Sequence, residues 1–148
     1  MADLIIKGVL GILLLATALQ DVRTKRISLW IILLGAVLIC AGIPFAKEIT
    51  IIDRVLGTLV GVVILITSKA SRGKIGMGDG YLLCVTGICL GFWSNMELFA
   101  LALFAAALVS ILLLILRLAD RKKSIPFVPF LFLAYLIQSI GTKAWQIV

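Results

Sequence analysis

The 148-residue sequence has no histidine and only three cysteines. Histidine is the commonest general base and a member of the usual catalytic triads, so its absence excludes sites of that kind. Cys40, Cys84 and Cys89 all lie in apolar segments and form no Cys-x-x-Cys pair, which argues against a structural zinc site or a disulfide framework. We therefore expect no metal ion and no other cofactor. Any catalysis must rely on carboxylates.

Charged residues are also scarce. They make up 14% of the chain, whereas apolar residues make up 63% and the mean hydropathy is +1.25. Soluble domains contain about 45–50% apolar residues, so the composition predicts an integral membrane protein. The net charge of +7 could indicate a nucleic-acid partner, but the basic residues form short clusters between apolar runs. We expect a lipid bilayer and no nucleic acid as the partner.

Apolar runs of membrane-spanning length organise the chain. A transmembrane helix needs about 20 mainly apolar residues, and six segments approach this length. We therefore predict an all-α membrane protein with six transmembrane helices, folded as a single membrane-embedded domain over residues 1–148. Gly57 and Gly61 in the third segment form a G-x-x-x-G pattern that favours close helix packing. The six predicted segments are 4–19, 27–45, 49–67, 81–93, 98–116 and 125–140.

The third and fourth segments leave one alternative open. The third contains a strongly apolar stretch of only residues 55–67, and the fourth is also short, so residues 55–93 could form a re-entrant hairpin. That arrangement would bury the three cations between the segments at roughly 2.5 to 3.5 kcal/mol each. Two short or locally thinned spans are therefore favoured.

A signal peptide is the alternative for the first segment. Ala16-Thr17-Ala18 follows an apolar run, as a signal-peptide cleavage site does. However, Arg23, Lys25 and Arg26 follow so closely that translocating them would oppose the positive-inside tendency. A first transmembrane helix is therefore the favoured interpretation.

The distribution of basic residues predicts the orientation of the six helices. Ten of the fourteen Lys and Arg residues fall in the loops after segments one, three and five. Cytoplasmic loops carry an excess of Lys and Arg, so we predict that both termini lie outside. Asp21 and Asp79 would then lie at the cytoplasmic membrane boundary, whereas Asp53 and Glu97 would lie on the opposite side and could not join them.

Two aspartates carry the functional hypothesis. Asp79 ends the turn Gly76-Met77-Gly78-Asp79, and Asp21 ends the first apolar segment. Two carboxylates that share one proton cannot both ionise easily, so one serves as base and the other as acid. Such a pair can activate a water against an amide carbonyl and protonate the leaving nitrogen. Gly76 and Gly78 would permit positive φ and let a substrate backbone approach closely.

Simpler roles for both aspartates stay open. Asp79 could be the N-cap of the fourth helix, and Asp21 could form an interfacial ion pair with Arg23 or Lys25. Neither role excludes catalysis. From the helix dipoles alone, Asp79 would hold the negative charge at rest and Asp21 the shared proton.

These residues together resemble the type IV prepilin peptidases, which include the archaeal preflagellin peptidases. The resemblance covers essentially the whole chain in segment order and length. It implies a six-helix aspartic protease of the cytoplasmic membrane, with its active site facing the cytoplasm. It also implies cleavage of the short basic leader of type IV prepilins or pilin-like proteins, with Asp21 and Asp79 as the catalytic pair. The resemblance rests on Gly76-Met77-Gly78-Asp79 followed by Leu82, on Asp21 six residues before Ile27, and on Pro126-Phe127-Val128-Pro129-Phe130.

The chain departs from the family pattern at three places. Ile27-Ser28-Leu29 stands where the family often has Ile-Pro-Asn, and Tyr81 stands where it often has Lys. Both changes concern substrate contacts rather than the chemistry. Bifunctional members also carry a cytoplasmic insertion, often with paired Cys-x-x-Cys motifs, and N-methylate the new pilin terminus. Because this chain has neither feature, we expect peptidase activity without methyl transfer.

The sequence also suggests residues that contact the substrate. Gly76 and Gly78 would border the substrate backbone, and Lys74 or Arg72 could meet an acidic residue near the mature pilin terminus. Two other interpretations stay open, a presenilin-like intramembrane protease and a non-enzymatic small membrane transporter or assembly subunit. The sequence leaves the particular pilin and the oligomeric state open.

Overall fold

The computed structural model of the chain describes residues 2–25, 27–71, 76–116 and 126–145, with the side chains described as far as residue 141. Within these ranges the protein is all-helical, and a short 3-10 turn, Ile43–Phe45, follows the second helix. The helices are α1 (Ala2–Thr24), α2 (Leu29–Gly42), α3 (Ile51–Ala70), α4 (Met77–Leu90), α5 (Phe92–Ile115) and α6 (Val128–Trp145).

The helices confirm the prediction of six apolar segments in this order. α1, α3 and α5 are long and apolar enough to cross a membrane, and the other three are shorter apolar helices. α3 reaches 20 residues because Asp53 and Arg54 belong to its first turn. Of the two segments predicted to be short, α3 and α4, only α3 therefore matches a bilayer span. α4 has 14 residues, or about 21 Å, which is short of the roughly 30 Å of hydrocarbon. The protein is thus a multi-pass membrane protein with helices of unequal length.

The junction between α4 and α5 differs from the predicted one. We expected a turn at residues 94–97, but these residues lie inside α5, which begins at Phe92. The two helices join directly at Gly91, whose φ of +79° lies in the left-handed region that glycine enters at little cost. The Asp53 carboxylate accepts a hydrogen bond from the Phe92 backbone N–H at 3.1 Å. This contact satisfies one free donor at the start of α5.

α3 and α4 make the most extensive helix–helix contact among the described residues. Gly57 and Gly61 on α3 face Gly87 and Cys84 on α4. A Cβ placed on Gly57 would lie 2.5 Å from the carbonyl oxygen of Gly87, so the two backbones approach more closely than side chains would allow. The G-x-x-x-G pattern of α3 is therefore a helix-packing face, as predicted.

A buried asparagine joins α5 to this pair. The Asn95 side chain is fully buried and donates to the carbonyl oxygens of Gly57 at 3.0 Å and Leu83 at 3.1 Å. Its own oxygen accepts a hydrogen bond from the Thr86 hydroxyl at 2.6 Å. Interhelical hydrogen bonds of this kind hold helices together in a bilayer, where the hydrophobic effect does not drive helices to associate. They fix the N-terminal half of α5 against α3 and α4.

α4 lies at the centre of the bundle, in contact with α1, α2, α3 and α5, while α6 packs against α1 and α5. Leu82 and Leu83 on α4 are fully buried, as are Leu10 and Leu14 on α1 and Leu131 on α6. The helix order and these contacts bring the C-terminal end of α1 to the same end of the bundle as the N-terminal ends of α4 and α6. The segment Ala16-Thr17-Ala18 lies inside α1, with Thr17 and Ala18 buried.

Candidate active site

Asp21 lies in the last turn of α1 and is only 7% exposed. Its carboxylate oxygen Oδ2 accepts a hydrogen bond from the backbone N–H of Val128 at 3.2 Å. Val128 begins α6, so the first free donor of that helix points at Asp21. The C-terminal end of α1 carries Asp21, and the N-terminal end of α6 donates a hydrogen bond to it. α4 also packs against α1.

Asp79 occupies the first turn of α4 and is partly buried. The prediction that it caps this helix is wrong, because Gly76 is the N-cap and no side-chain capping bond is present there. The backbone N–H of Asp79 instead donates to the carbonyl oxygen of Gly76 at 3.2 Å. Among the residues that the structure describes, none donates a hydrogen bond to the Asp79 carboxylate, which leaves it available to a water or a substrate.

The structure brings Asp21 and Asp79 together, although they are 58 positions apart in the sequence. The Asp21 carboxylate is close enough to act electrostatically on that of Asp79. Ile27, which follows α1, packs against Gly78: a Cβ on this glycine would lie 2.7 Å from the Ile27 Cδ1 atom. The chain after Asp21 therefore contacts the chain before Asp79. Carboxylates that interact electrostatically ionise as a coupled pair.

The two glycines before Asp79 do not have the predicted backbone conformation, while their predicted contact with substrate stays a prediction. The expectation of positive φ is wrong, since Gly76 has φ −63° and, among the described glycines, only Gly91 has positive φ. A Cβ on Gly76 would lie 2.9 Å from Oδ2 of Asp79, and one on Gly78 would press on Ile27. A side chain at position 76 would therefore press on the Asp79 carboxylate itself, and one at position 78 would press on Ile27 beside it.

A family comparison identifies the protein class. The model of the type IV leader peptidase family matches residues 8–115, a range that includes both aspartates and the turn before Asp79. The chain belongs to the type IV leader peptidase family. Searches among curated proteins and among solved structures each gave no match. Family membership supports a protease that acts on pilin-like proteins in a membrane, over the presenilin-like and the non-enzymatic interpretations.

The simpler role proposed for Asp21 does not hold for the two partners considered. Arg23 and Lys25 are exposed, and within the described ranges neither forms an ion pair with Asp21. Arg72 and Lys74, the predicted substrate-binding cations of this leader peptidase, lie outside the described residues, so their role stays a prediction.

The other two acidic candidates lie at the opposite end of the bundle, as predicted. Asp53 binds the start of α5, and Glu97 accepts a hydrogen bond from Gln138 at 3.1 Å. A polar cavity of about 290 Å³ opens near them. An ion pair between Lys7 and Glu48 at 2.7 Å lines this cavity. Neither Asp53 nor Glu97 belongs to the candidate active site.

Two contacts of the site had no signal in the sequence. The Val128 donor could not be assigned to Asp21 because nothing in the sequence fixes the packing of α6 against α1. The side-chain oxygen of Gln20 accepts a hydrogen bond from the Ser28 backbone N–H at 3.1 Å, and no motif in the sequence indicates this contact. Both contacts connect the catalytic candidate to a neighbouring element of this leader peptidase.

Replacing Gly78 with Ala should lower the rate of leader cleavage by about 10-fold, because small displacements of reacting groups are costly. The new Cβ would touch only side-chain atoms of Ile27, which can move but would push the turn after Asp21 away from Asp79. The double variant Gly78→Ala, Ile27→Ala should therefore recover most of the rate. Measuring kcat for the two variants against wild type checks this. A double variant as slow as Gly78→Ala would contradict it.

Proposed function

We propose that this leader peptidase is a membrane aspartic endopeptidase that removes the short basic leader of type IV prepilins or pilin-like proteins. The single observation that carries the proposal is that the chain after Asp21 contacts the turn before Asp79, in a chain of this family. The pair sits where the turn after α1 contacts the start of α4. Two-aspartate hydrolysis needs no histidine, which agrees with the composition of the chain.

The proposed reaction uses the two carboxyl groups in complementary roles. One carboxylate takes a proton from water, whose oxygen bonds to the scissile carbonyl carbon and forms a tetrahedral intermediate. The other carboxyl group gives its proton to the leaving nitrogen as the C–N bond breaks. The products are a leader with a free carboxylate and a mature protein with a free amine.

The hydrogen bond from Val128 to Asp21 favours Asp21 as the base. An ionised carboxylate is the stronger acceptor of an N–H bond, and the described residues offer no comparable donor to Asp79. This assignment is the reverse of the one expected from the helix dipoles alone. Infrared difference spectra of the Asp21→Asn and Asp79→Asn variants test it. We expect Asp21→Asn to remove the ionised carboxylate band and Asp79→Asn to remove the protonated one; the opposite pattern would restore the first assignment.

We further propose that the site faces the cytoplasm and that both termini lie outside. Ten of the fourteen Lys and Arg residues fall in the last turns of α1 and α3 or in the segments that follow α1, α3 and α5, and an excess of Lys and Arg is typical of the cytoplasmic side. In a chain freed of its native cysteines, Lys47→Cys should react with an impermeant maleimide added to intact cells. Lys25→Cys should react only after the membrane is opened, and the reverse result would overturn this orientation.

Co-expression with a pilin-like substrate tests the proposed activity. We expect the wild-type chain to convert the substrate to a faster-migrating, shorter form with a new amino terminus at the end of the leader. The double variant Asp21→Asn, Asp79→Asn should leave it uncut. Asp3→Asn, which changes an aspartate near the start of α1, is the matched control and should cut normally. Cleavage by the double variant would refute the proposal.

We also propose that the peptidase does not methylate its product. α1 and α2 are joined by residues 25–28 alone, which leaves no room for an inserted domain, and the three cysteines lie within α2 and α4. Incubating the purified enzyme with substrate and labelled S-adenosylmethionine should give cut pilin without label. A bifunctional leader peptidase assayed in parallel should transfer label. Label on pilin cut by this enzyme would contradict the prediction.

A further inference from the structure

A side-chain tether closes the turn between α1 and α2. The side-chain oxygen of Gln20 accepts a hydrogen bond from the backbone N–H of Ser28 at 3.1 Å. Gln20 directly precedes Asp21, and Ser28 directly follows Ile27, the residue that packs against Gly78. The tether therefore links the helix turn that carries Asp21 to the residue that contacts the turn before Asp79.

We propose that Gln20 is a positioning residue that holds the two aspartates in register through Ser28 and Ile27. The proposal rests on the proposed function of the aspartate pair. Gln20 need not touch substrate. It fixes the position at which Ile27 meets Gly78, and with it the separation of Asp21 and Asp79.

The backbone at Ser28 explains why a tether is used here. Ser28 is the N-cap residue of α2, with φ −73° and ψ 119°, and its side chain makes no capping hydrogen bond. Apart from the bond to Gln20, the start of α2 therefore has no side-chain restraint of its own within the described turn. Without this bond, only the hydrogen bonds that the Ser28 carbonyl accepts from the backbone N–H groups of Ile31 and Ile32 would hold Ser28, and its own N–H would be left without this partner.

The same backbone angles show what could replace the tether. A φ of −73° lies within the range that proline enforces, about −65 ± 15°. Proline also restricts the residue before it to extended conformations, which here is Ile27. A proline at position 28 would remove the N–H that Gln20 binds, yet it would hold the turn covalently. Gln20 should consequently become dispensable in a Ser28→Pro background.

A double-mutant cycle tests this. We expect Gln20→Ala to lower kcat for leader cleavage by about 10-fold with KM changed less than about 2-fold, because misplacement of the pair affects the chemical step. Ser28→Pro should keep kcat within about 3-fold of wild type. Gln20→Ala combined with Ser28→Pro should match Ser28→Pro alone. Gln20→Glu, which keeps an acceptor oxygen, should retain most of the activity.

Gln138 provides the matched control. Its side chain likewise bonds to a backbone group, donating to the carbonyl of Ser94 at 2.9 Å, but at the opposite end of the bundle. Gln138→Ala should lower the melting temperature in detergent and leave kcat unchanged, whereas Gln20→Ala should lower kcat with little change in melting temperature. Equal effects of the two variants on kcat would show that Gln20 acts only through stability.

Three results would overturn the proposal: wild-type kcat in Gln20→Ala, failure of Ser28→Pro to suppress the Gln20→Ala defect, or an inactive but folded double variant. If Gln20→Ala alone does not fold, the double variant still decides the matter by its activity. Failure of the proposed function looks different, because Asp21→Asn and Asp79→Asn would then remain active. Inactive aspartate variants beside a fully active Gln20→Ala would refute only the tether.

Discussion

Replacing either Asp21 or Asp79 with Asn will lower kcat for leader cleavage by about 10³-fold or more, and the double variant will be no slower than either single variant. Each carboxyl group transfers a proton in the same reaction, so one is useless without the other. Residues that act as a unit give strongly non-additive losses. Single-turnover measurements with purified enzyme and a pilin-like substrate bearing a basic leader separate this chemical step from binding and product release.

The control for this prediction is a third aspartate with a known structural role. Asp53→Asn should weaken the contact with Phe92 and lower the melting temperature, while kcat changes less than about 2-fold because Asp53 lies at the opposite end of the bundle. Losses that multiply in the Asp21, Asp79 double variant would indicate two independent roles. Such a result would contradict the shared-proton mechanism even if both residues proved necessary.

The number and order of the helices were predictable because apolar runs dominate the chain. Helix boundaries were less so. The start of α5 at Phe92 lies well before the predicted one, because Ser94 and Asn95 are polar and resemble a turn in the sequence. Both residues find partners inside the bundle: the Asn95 side chain bonds to the α3–α4 pair, and the backbone carbonyl of Ser94 accepts a hydrogen bond from Gln138. A polar residue satisfied by a neighbouring helix cannot be told from a loop residue without knowing that neighbour.

The candidate site shows the same division between local and tertiary information. The sequence indicated which aspartates could do the chemistry, because the absence of histidine left few alternatives. It could not show that α1 packs against α4, since helix order does not fix helix adjacency. The positive φ expected at Gly76 and Gly78 was wrong for the same reason. Their purpose depends on Asp79 and Ile27 lying above them, not on their own backbone angles.

Gly61→Ala should be among the most destabilising single-methyl changes in the described bundle, costing about 3 kcal/mol or more of unfolding free energy, at or above the upper end of typical overpacking penalties. The added Cβ would collide with the backbone N and Cα atoms of Cys84 as well as with its thiol. Backbone atoms of a central helix cannot turn away, so α3 and α4 must separate. Thermal unfolding in detergent, followed by circular dichroism, measures the loss.

Two matched variants decide whether the close backbone approach is the cause. Gly8→Ala adds the same methyl group to α1, where nothing lies within 4 Å, and should be neutral or stabilising by up to about 1 kcal/mol. Cys84→Gly removes the thiol but not the backbone, so it should not rescue Gly61→Ala. The contrast with Gly78 follows from the same reasoning, because there the obstructing atoms belong to a side chain that can be removed. If Cys84→Gly did restore stability, the contact between α3 and α4 would depend on the thiol rather than on the backbones. The position of Asp79 at the start of α4 would then be restrained less tightly than a direct contact between the two backbones implies.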